Sequence, residues 1–180
     1  MGKNGSGKTT LINTLAGFYK VDSGSIVVNG VDVTGLEAHR RGIVVVNHNS
    51  HLPNMEVDDH LVYGLKLKGL STDRKRLELV KSSLGINYNG KVGKLSLGMK
   101  LRVALATALL STPKAILVDE VFSSLHDSVK ALEAYKRLSG EWGIDVLYTT
   151  QSADEGKVAD KLYLIESGRT SLLKSNNKPA

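Results

Sequence analysis

Residues 2–9 read Gly2-Lys3-Asn4-Gly5-Ser6-Gly7-Lys8-Thr9, the G-x-x-x-x-G-K-[ST] pattern of a loop that cradles nucleotide phosphates. Gly2, Gly5 and Gly7 let the backbone curl with several N–H groups turned inward, at torsions a side chain penalises. Asn4 and Ser6 complete the loop. Lys8 sets a point charge against the β- and γ-phosphates, and Thr9 offers a hydroxyl to Mg²⁺. Thr10 opens a run to Ala16 that reads as a helix closed at Gly17, with its positive end facing the phosphates. The pattern predicts a nucleoside triphosphate site.

Such a loop is delivered by a buried strand ending at its first glycine, yet only Met1 precedes Gly2. The expectation is an α/β fold of the P-loop NTPase class: a mostly parallel sheet flanked by helices, its N-terminal strands missing. Residues 25–33 read as two short strands around the Asn29-Gly30 turn. The β-branched run at 43–46 and the apolar runs at 115–118, 144–148 and 161–165 read as four buried strands. A helical stretch spans about 57–110, broken by glycines, and a helix from Ser128 to Leu138 is expected to close near Gly140. Strands alternating with helices indicate a parallel, doubly covered sheet. One domain is expected over 1–173, with the helical part inserted as a subdomain, and a disordered polar tail over 174–180.

At 180 residues and 41% hydrophobic content, the chain is long enough to bury a substantial core. It has no cysteine, which excludes disulfides and thiolate metal sites. No apolar run approaches the length of a membrane span. The net charge of +6 raises nucleic acid or an anionic membrane as partners, but the densest charged segment, 73–81, mixes signs as a solvated helix face does.

Val118-Asp119-Glu120 closes the second apolar strand with two carboxylates. In phosphoryl-transfer sites the first such acid holds Mg²⁺, and a neighbouring acid polarises the attacking water. Adjacent side chains on a strand face opposite ways, so both reach one site only where the strand twists into its loop. Upstream, Ser96 is placed to cap a helix over 97–106, and with Gly98 it offers a hydroxyl and free N–H groups to an anion.

Together these segments resemble the ATP-binding subunit of an ABC transporter. Ser96 precedes Asp119 at the spacing of that family's signature serine, and Val121-Phe122-Ser123-Ser124-Leu125-His126 occupies the segment after the catalytic Glu. Thr149-Thr150-Gln151 falls where the family carries its switch histidine. Residues 53–57 and 63–69 match the segment leading into the helical subdomain, and residues 24–36 also fit. The resemblance implies that two copies, alike or different, sandwich two ATPs. Ser96 and Gly98 would reach the partner's γ-phosphate, Glu120 would be the general base, and Lys8, Thr9 and Asp119 would hold phosphates and Mg²⁺. It also implies transmembrane permease subunits docked near residues 47–60. Such a protein is expected in the cytoplasm, peripheral at the inner face of the membrane, with no insertion into it and no nucleic-acid partner.

Several positions depart from the family pattern. Its magnesium-sensing Gln falls at Asn47, or at His48 with a one-residue gap, and its switch His is Gln151, which can hydrogen-bond a γ-phosphate but takes no proton at neutral pH. Leu97, Met99, Val121 and His126 also differ. Two readings follow. One is an ATPase powering solute transport, with the importer branch slightly favoured. The other is an ATP-binding, poorly hydrolysing regulatory or degenerate half of a heterodimer. A soluble relative acting on DNA or the ribosome finds no support in the sequence.

Overall fold

The computed structural model describes residues 1–175. The chain passes from the glycine loop into α1 (Lys8–Ala16), which ends at Gly17 with a φ of 89°. β1 (Val27–Val28) and β2 (Val31–Asp32) then form the expected antiparallel pair, with Asn29 and Gly30 both at positive φ between them. β3 (Ile43–Val46) is followed by α2 (Val57–Leu61), α3 (Tyr63–Leu67), α4 (Arg74–Ser83) and α5 (Leu97–Leu110), all four within residues 57–110. The chain continues through β4 (Ala115–Asp119), α6 (Ser128–Glu141), β5 (Asp145–Thr149) and α7 (Ala153–Val158) to a hairpin, β6 (Lys161–Glu166) and β7 (Arg169–Ser175).

β3, β4 and β5 form a parallel sheet with β4 in the middle. Its register sets Val46 beside Val118 and Asp119 beside Thr149, so the strands end together at one edge. The period-two alternation of a strand divides the core. Ile43, Val45 and Leu117 meet Ile12, Leu15 and Ala16 of α1. Val44, Val46, Ile116 and Val118 join the larger core on the other face, which includes Leu105 and Leu109 of α5 and Tyr135 of α6. Burying a leucine of this kind contributes about 1.5–3 kcal/mol. Tyr135 is wholly buried and its hydroxyl donates to Leu105 O at 3.1 Å, so its polar tip is satisfied inside the core.

Arg41 is the buried strut of the α1 layer. Its guanidinium donates to Thr14 O and Leu15 O at the C-terminal end of α1, at 3.1 and 2.9 Å, and to Leu36 O and Thr34 O, each at 2.9 Å. A cation at that end also meets the negative pole of the helix. An open, largely apolar cavity of about 870 Å³ separates α1 from β5 and β6, walled in part by Leu11, Leu15, Leu147 and Leu162.

Four expectations are corrected. The run at 161–165 is not a fourth buried strand of the parallel sheet. β6 pairs antiparallel with β7 through a turn at Ser167 and Gly168, and only its Ile165 is buried. β5 is half-exposed because its side chains line the open cavity instead of packing under a helix on that face. α6 runs past Gly140 and stops where Gly143, at a φ of 65°, lets Ile144 N–H return to Ser139 O at 2.9 Å. The polar tail expected from 174 is a strand as far as Ser175, anchored where Lys174 Nζ donates to Lys157 O and Ala159 O; residues 176–180 lie outside the described residues. Among the described residues, no helix is long and apolar enough to cross a membrane.

Candidate active site

The glycine loop folds as its residues dictate. Gly5 and Gly7 sit at φ values of 76° and 104° with open space where a Cβ would stand, so their requirement is conformational. Gly2 is different: a Cβ there would lie 2.5 Å from Ile165 O and 2.6 Å from Ser6 Oγ, so its requirement is steric. Its N–H donates to Thr150 O, just beyond β5, which fixes the loop's start against the sheet. α1 follows Gly7, which provides no side-chain cap, leaving the first N–H groups of the helix to whatever fills the loop.

Lys8 is buried with its ammonium at the loop's centre, donating to Gly2 O at 2.7 Å and Lys3 O at 2.8 Å. It also pairs with Glu120 Oε1 at 3.0 Å. Ser6 Oγ is buried with no protein partner, which suits a site that awaits a polar ligand.

The two carboxylates do reach one site. Asp119 ends β4, and its Oδ2 accepts from Thr9 Oγ1 at 2.7 Å while its Oδ1 accepts from Thr149 Oγ1 at 2.7 Å. Glu120 adopts a φ of 55°, the left-handed region uncommon for a residue with a Cβ. This turn swings its side chain from the opposite face to Lys8. Its N–H donates to Thr149 Oγ1 at 3.0 Å, and its carbonyl accepts from Ser123 Oγ at 2.9 Å. Gln151 Nε2 donates to Asn4 Oδ1 at 2.7 Å and reaches Glu120 Oε1 at 3.4 Å, which ties the switch position to the loop.

Thr9 and Asp119 suit a divalent cation that also takes phosphate oxygens, because Mg²⁺ is commonly held by one or two protein groups plus the substrate. No group of three or more His, Cys, Asp or Glu side chains able to hold a metal by itself exists among the described residues. Asn47 does not join Thr9 and Asp119. It follows β3 next to Asp119's level in the sheet, but its Oδ1 accepts from Asn49 N–H and Ser50 Oγ at 2.9 and 3.1 Å, closing its own turn. The adjacent His48 instead reaches Ser124 Oγ at 2.8 Å.

Thr10 lies in the first turn of α1 and is exposed. Ser96 caps α5 as expected, accepting from Met99 N–H at 3.4 Å. Gly98 faces Leu125, whose Cδ2 lies 4.0 Å from where a Cβ would stand. Among the described residues, no hydrogen bond links Ser96 or Gly98 to residues 2–9. Thr149, Ser123 and Arg41 are structural partners that the sequence reading missed. The one available signal was a hydroxyl residue, Thr149, directly after the apolar run 146–148 and beside the switch position.

Residues 1–123 match the family model described as ABC transporter. The Molybdate/tungstate import ATP-binding protein WtpC of Pyrococcus horikoshii is 34% identical over 177 residues, which cover 94% of this chain and 51% of that protein. The Sulfate/thiosulfate import ATP-binding protein CysA of Mesostigma viride is 36% identical over 180 residues, with the same two shares of 94% and 51%. The chain thus spans about half the length of the curated relatives it matches. Among solved structures, one described as the ATP binding subunit of an ABC transporter superposes with a TM-score of 0.75 at 24% identity, over 96% of this chain and 77% of that one. At that identity the likeness shows the fold alone.

Proposed function

The chain belongs to the ABC transporter family, and from that premise we propose that it binds ATP and hydrolyses it to power solute transport, as the nucleotide-binding subunit of an importer. The observation that supports this most directly is the convergence of Lys8, Thr9, Asp119 and Glu120 on one glycine loop. The N–H groups of the loop and of the first turn of α1 receive the phosphates, and Lys8 neutralises their charge. Thr9 and Asp119 would hold Mg²⁺, which when bound screens the charge on the transferred phosphoryl group. Glu120 orients the attacking water and takes its proton, with Gln151 positioned beside the same carboxylate.

Two such subunits would close over ATP, with Ser96 and Gly98 of one completing the site of the other, because neither reaches the loop of its own chain. The segment 47–60 would receive the permease subunits, at the inner face of a membrane. Two observations favour slow turnover as a second reading: Asn47 is committed to its own turn, and Gln151 stands where a proton-carrying side chain is expected.

Hydrolysis of Mg-ATP by the parent chain and by Glu120→Gln tests both. Loss of about 10²–10³ in rate, with ATP still bound as a trapped dimer, is the expected result. Equal turnover in parent and variant would remove Glu120 as the base. A parent that binds ATP without measurable turnover would favour the second reading.

A further inference from the structure

We propose that Thr149 is a positioning residue for hydrolysis, locking the metal-holding Asp119 and the base Glu120 into one geometry through a single hydroxyl; this rests on the ATPase reading above. Thr149 ends β5 directly opposite Asp119 and is 5% exposed. A hydroxyl carries one proton and two lone pairs, so it can donate and accept at once. Thr149 Oγ1 does both: it donates to Asp119 Oδ1 at 2.7 Å and accepts Glu120 N–H at 3.0 Å.

The two bonds serve different needs. Asp119 is gripped from both sides, at Oδ2 by Thr9 of α1 and at Oδ1 by Thr149 of β5, which leaves its carboxylate a single orientation. Thr9 Oγ1 gives its proton to that carboxylate and so keeps its lone pairs for an ion. Glu120 must stay left-handed for its carboxylate to face Lys8, and Thr149 holds its N–H in that turn. Ser123 holds the carbonyl of the same residue from an exposed position. Of these hydroxyls only Thr149 touches both acids, so it couples the placement of the ion to the placement of the base.

Thr149→Val removes the hydroxyl while keeping a β-branched shape suited to a strand, and Thr149→Ser keeps the hydroxyl. The full chain is compared in three readouts: Mn²⁺ uptake in the presence of ATP by electron paramagnetic resonance, affinity for metal-free ATP, and kcat and KM for Mg-ATP. The Val variant is expected to weaken Mn²⁺ uptake by about tenfold, the scale of one lost hydrogen bond to a charged group. Its kcat should fall at least ~10-fold, and with metal-free ATP binding unchanged its KM for Mg-ATP should rise by about the same tenfold, because the two orders of binding close one cycle. Thr149→Ser should restore both losses. A Val variant that matches the parent in Mn²⁺ uptake and kcat overturns the proposal, as does a Ser variant no better than Val. A parent chain that binds no ATP overturns the ATPase reading itself, and it does so before any variant is compared.

Discussion

Lys8 Nζ and Glu120 Oε1 stand 3.0 Å apart, joining the phosphate-binding loop to the end of the central strand. The lysine is almost wholly buried while the carboxylate is about one-third exposed. The carboxylate thus takes the charge that, on the proposed reading, a γ-phosphate would claim. On the proposed ATPase reading, binding would exchange one anion for another at Lys8 and free Glu120 for water. Glu120→Gln should accordingly tighten ATP binding by about fivefold, the scale of one partly exposed ion pair. Lys8→Met should weaken it by about 100-fold, since the buried donor of two loop carbonyls is lost with the charge. Titration with a fluorescent ATP analogue reads both, and a Glu120→Gln variant that binds more weakly than the parent would refute the exchange.

Two glycines of the loop differ in what they tolerate. Gly5→Ala meets no neighbour and should cost about 1 kcal/mol for its left-handed backbone. Gly2→Ala drives a methyl to 2.5 Å from a backbone carbonyl, which only movement of the β6 hairpin or of the loop can relieve. In urea melts Gly2→Ala should be clearly the less stable of the two, and the reverse order would contradict the packing described for Ile165.

Arg41→Met keeps most of the buried stem but strips four backbone carbonyls of their donor. Hydrogen bonds to a charged donor contribute about 1.5–3 kcal/mol each, though losses within one network do not add. A destabilisation of about 2–4 kcal/mol is expected, seen as a lower urea midpoint. A variant as stable as the parent would show that Arg41 does not brace α1.

His60 carries a pH dependence. It is buried at the start of the helical segment, where Leu52 N–H donates to its Nε2 at 3.1 Å, so Nδ1 carries the proton toward Thr107 Oγ1 at 2.8 Å. Burial, chiefly, lowers its pKa from the ordinary 6.5, and the neighbouring His51 adds to this. The unfolded chain therefore binds a proton that the folded chain refuses. This contribution leaves stability unchanged well above pH 6.5 and erodes it as pH falls below 6.5 toward the lowered value. Melts at pH 7.5 and 5.5 should show a larger acid loss for the parent than for His60→Gln. An equal loss in both would assign the acid sensitivity elsewhere.

The site was legible where chemistry and spacing coincide. The glycine pattern places Lys8 and Thr9, and an apolar strand ending in two acids places Asp119 and Glu120. What the sequence hid is conformational. No pattern announces that Glu120 turns left-handed, that Asn47 folds back on its own loop, or that Thr149 bridges two carboxylate residues across β4 and β5, because each depends on strand register. The hairpin at 161–175 was misread for a similar reason. A short apolar run looks the same in a buried parallel strand as in an exposed hairpin, and only its alternation, with Ile165 alone buried, separates them.

The two faces of the sheet are unequal. One is filled by the helices of the large core, and the other is covered by α1 through a cluster of only three buried residues, beside a large cavity. The layer that carries the phosphate loop is thus the thinly held one. Amide hydrogens of α1 should exchange with solvent well before those of β4 and α5, and nucleotide should slow the first set most. Ordering of that layer and occupancy of the loop would then be two descriptions of one equilibrium.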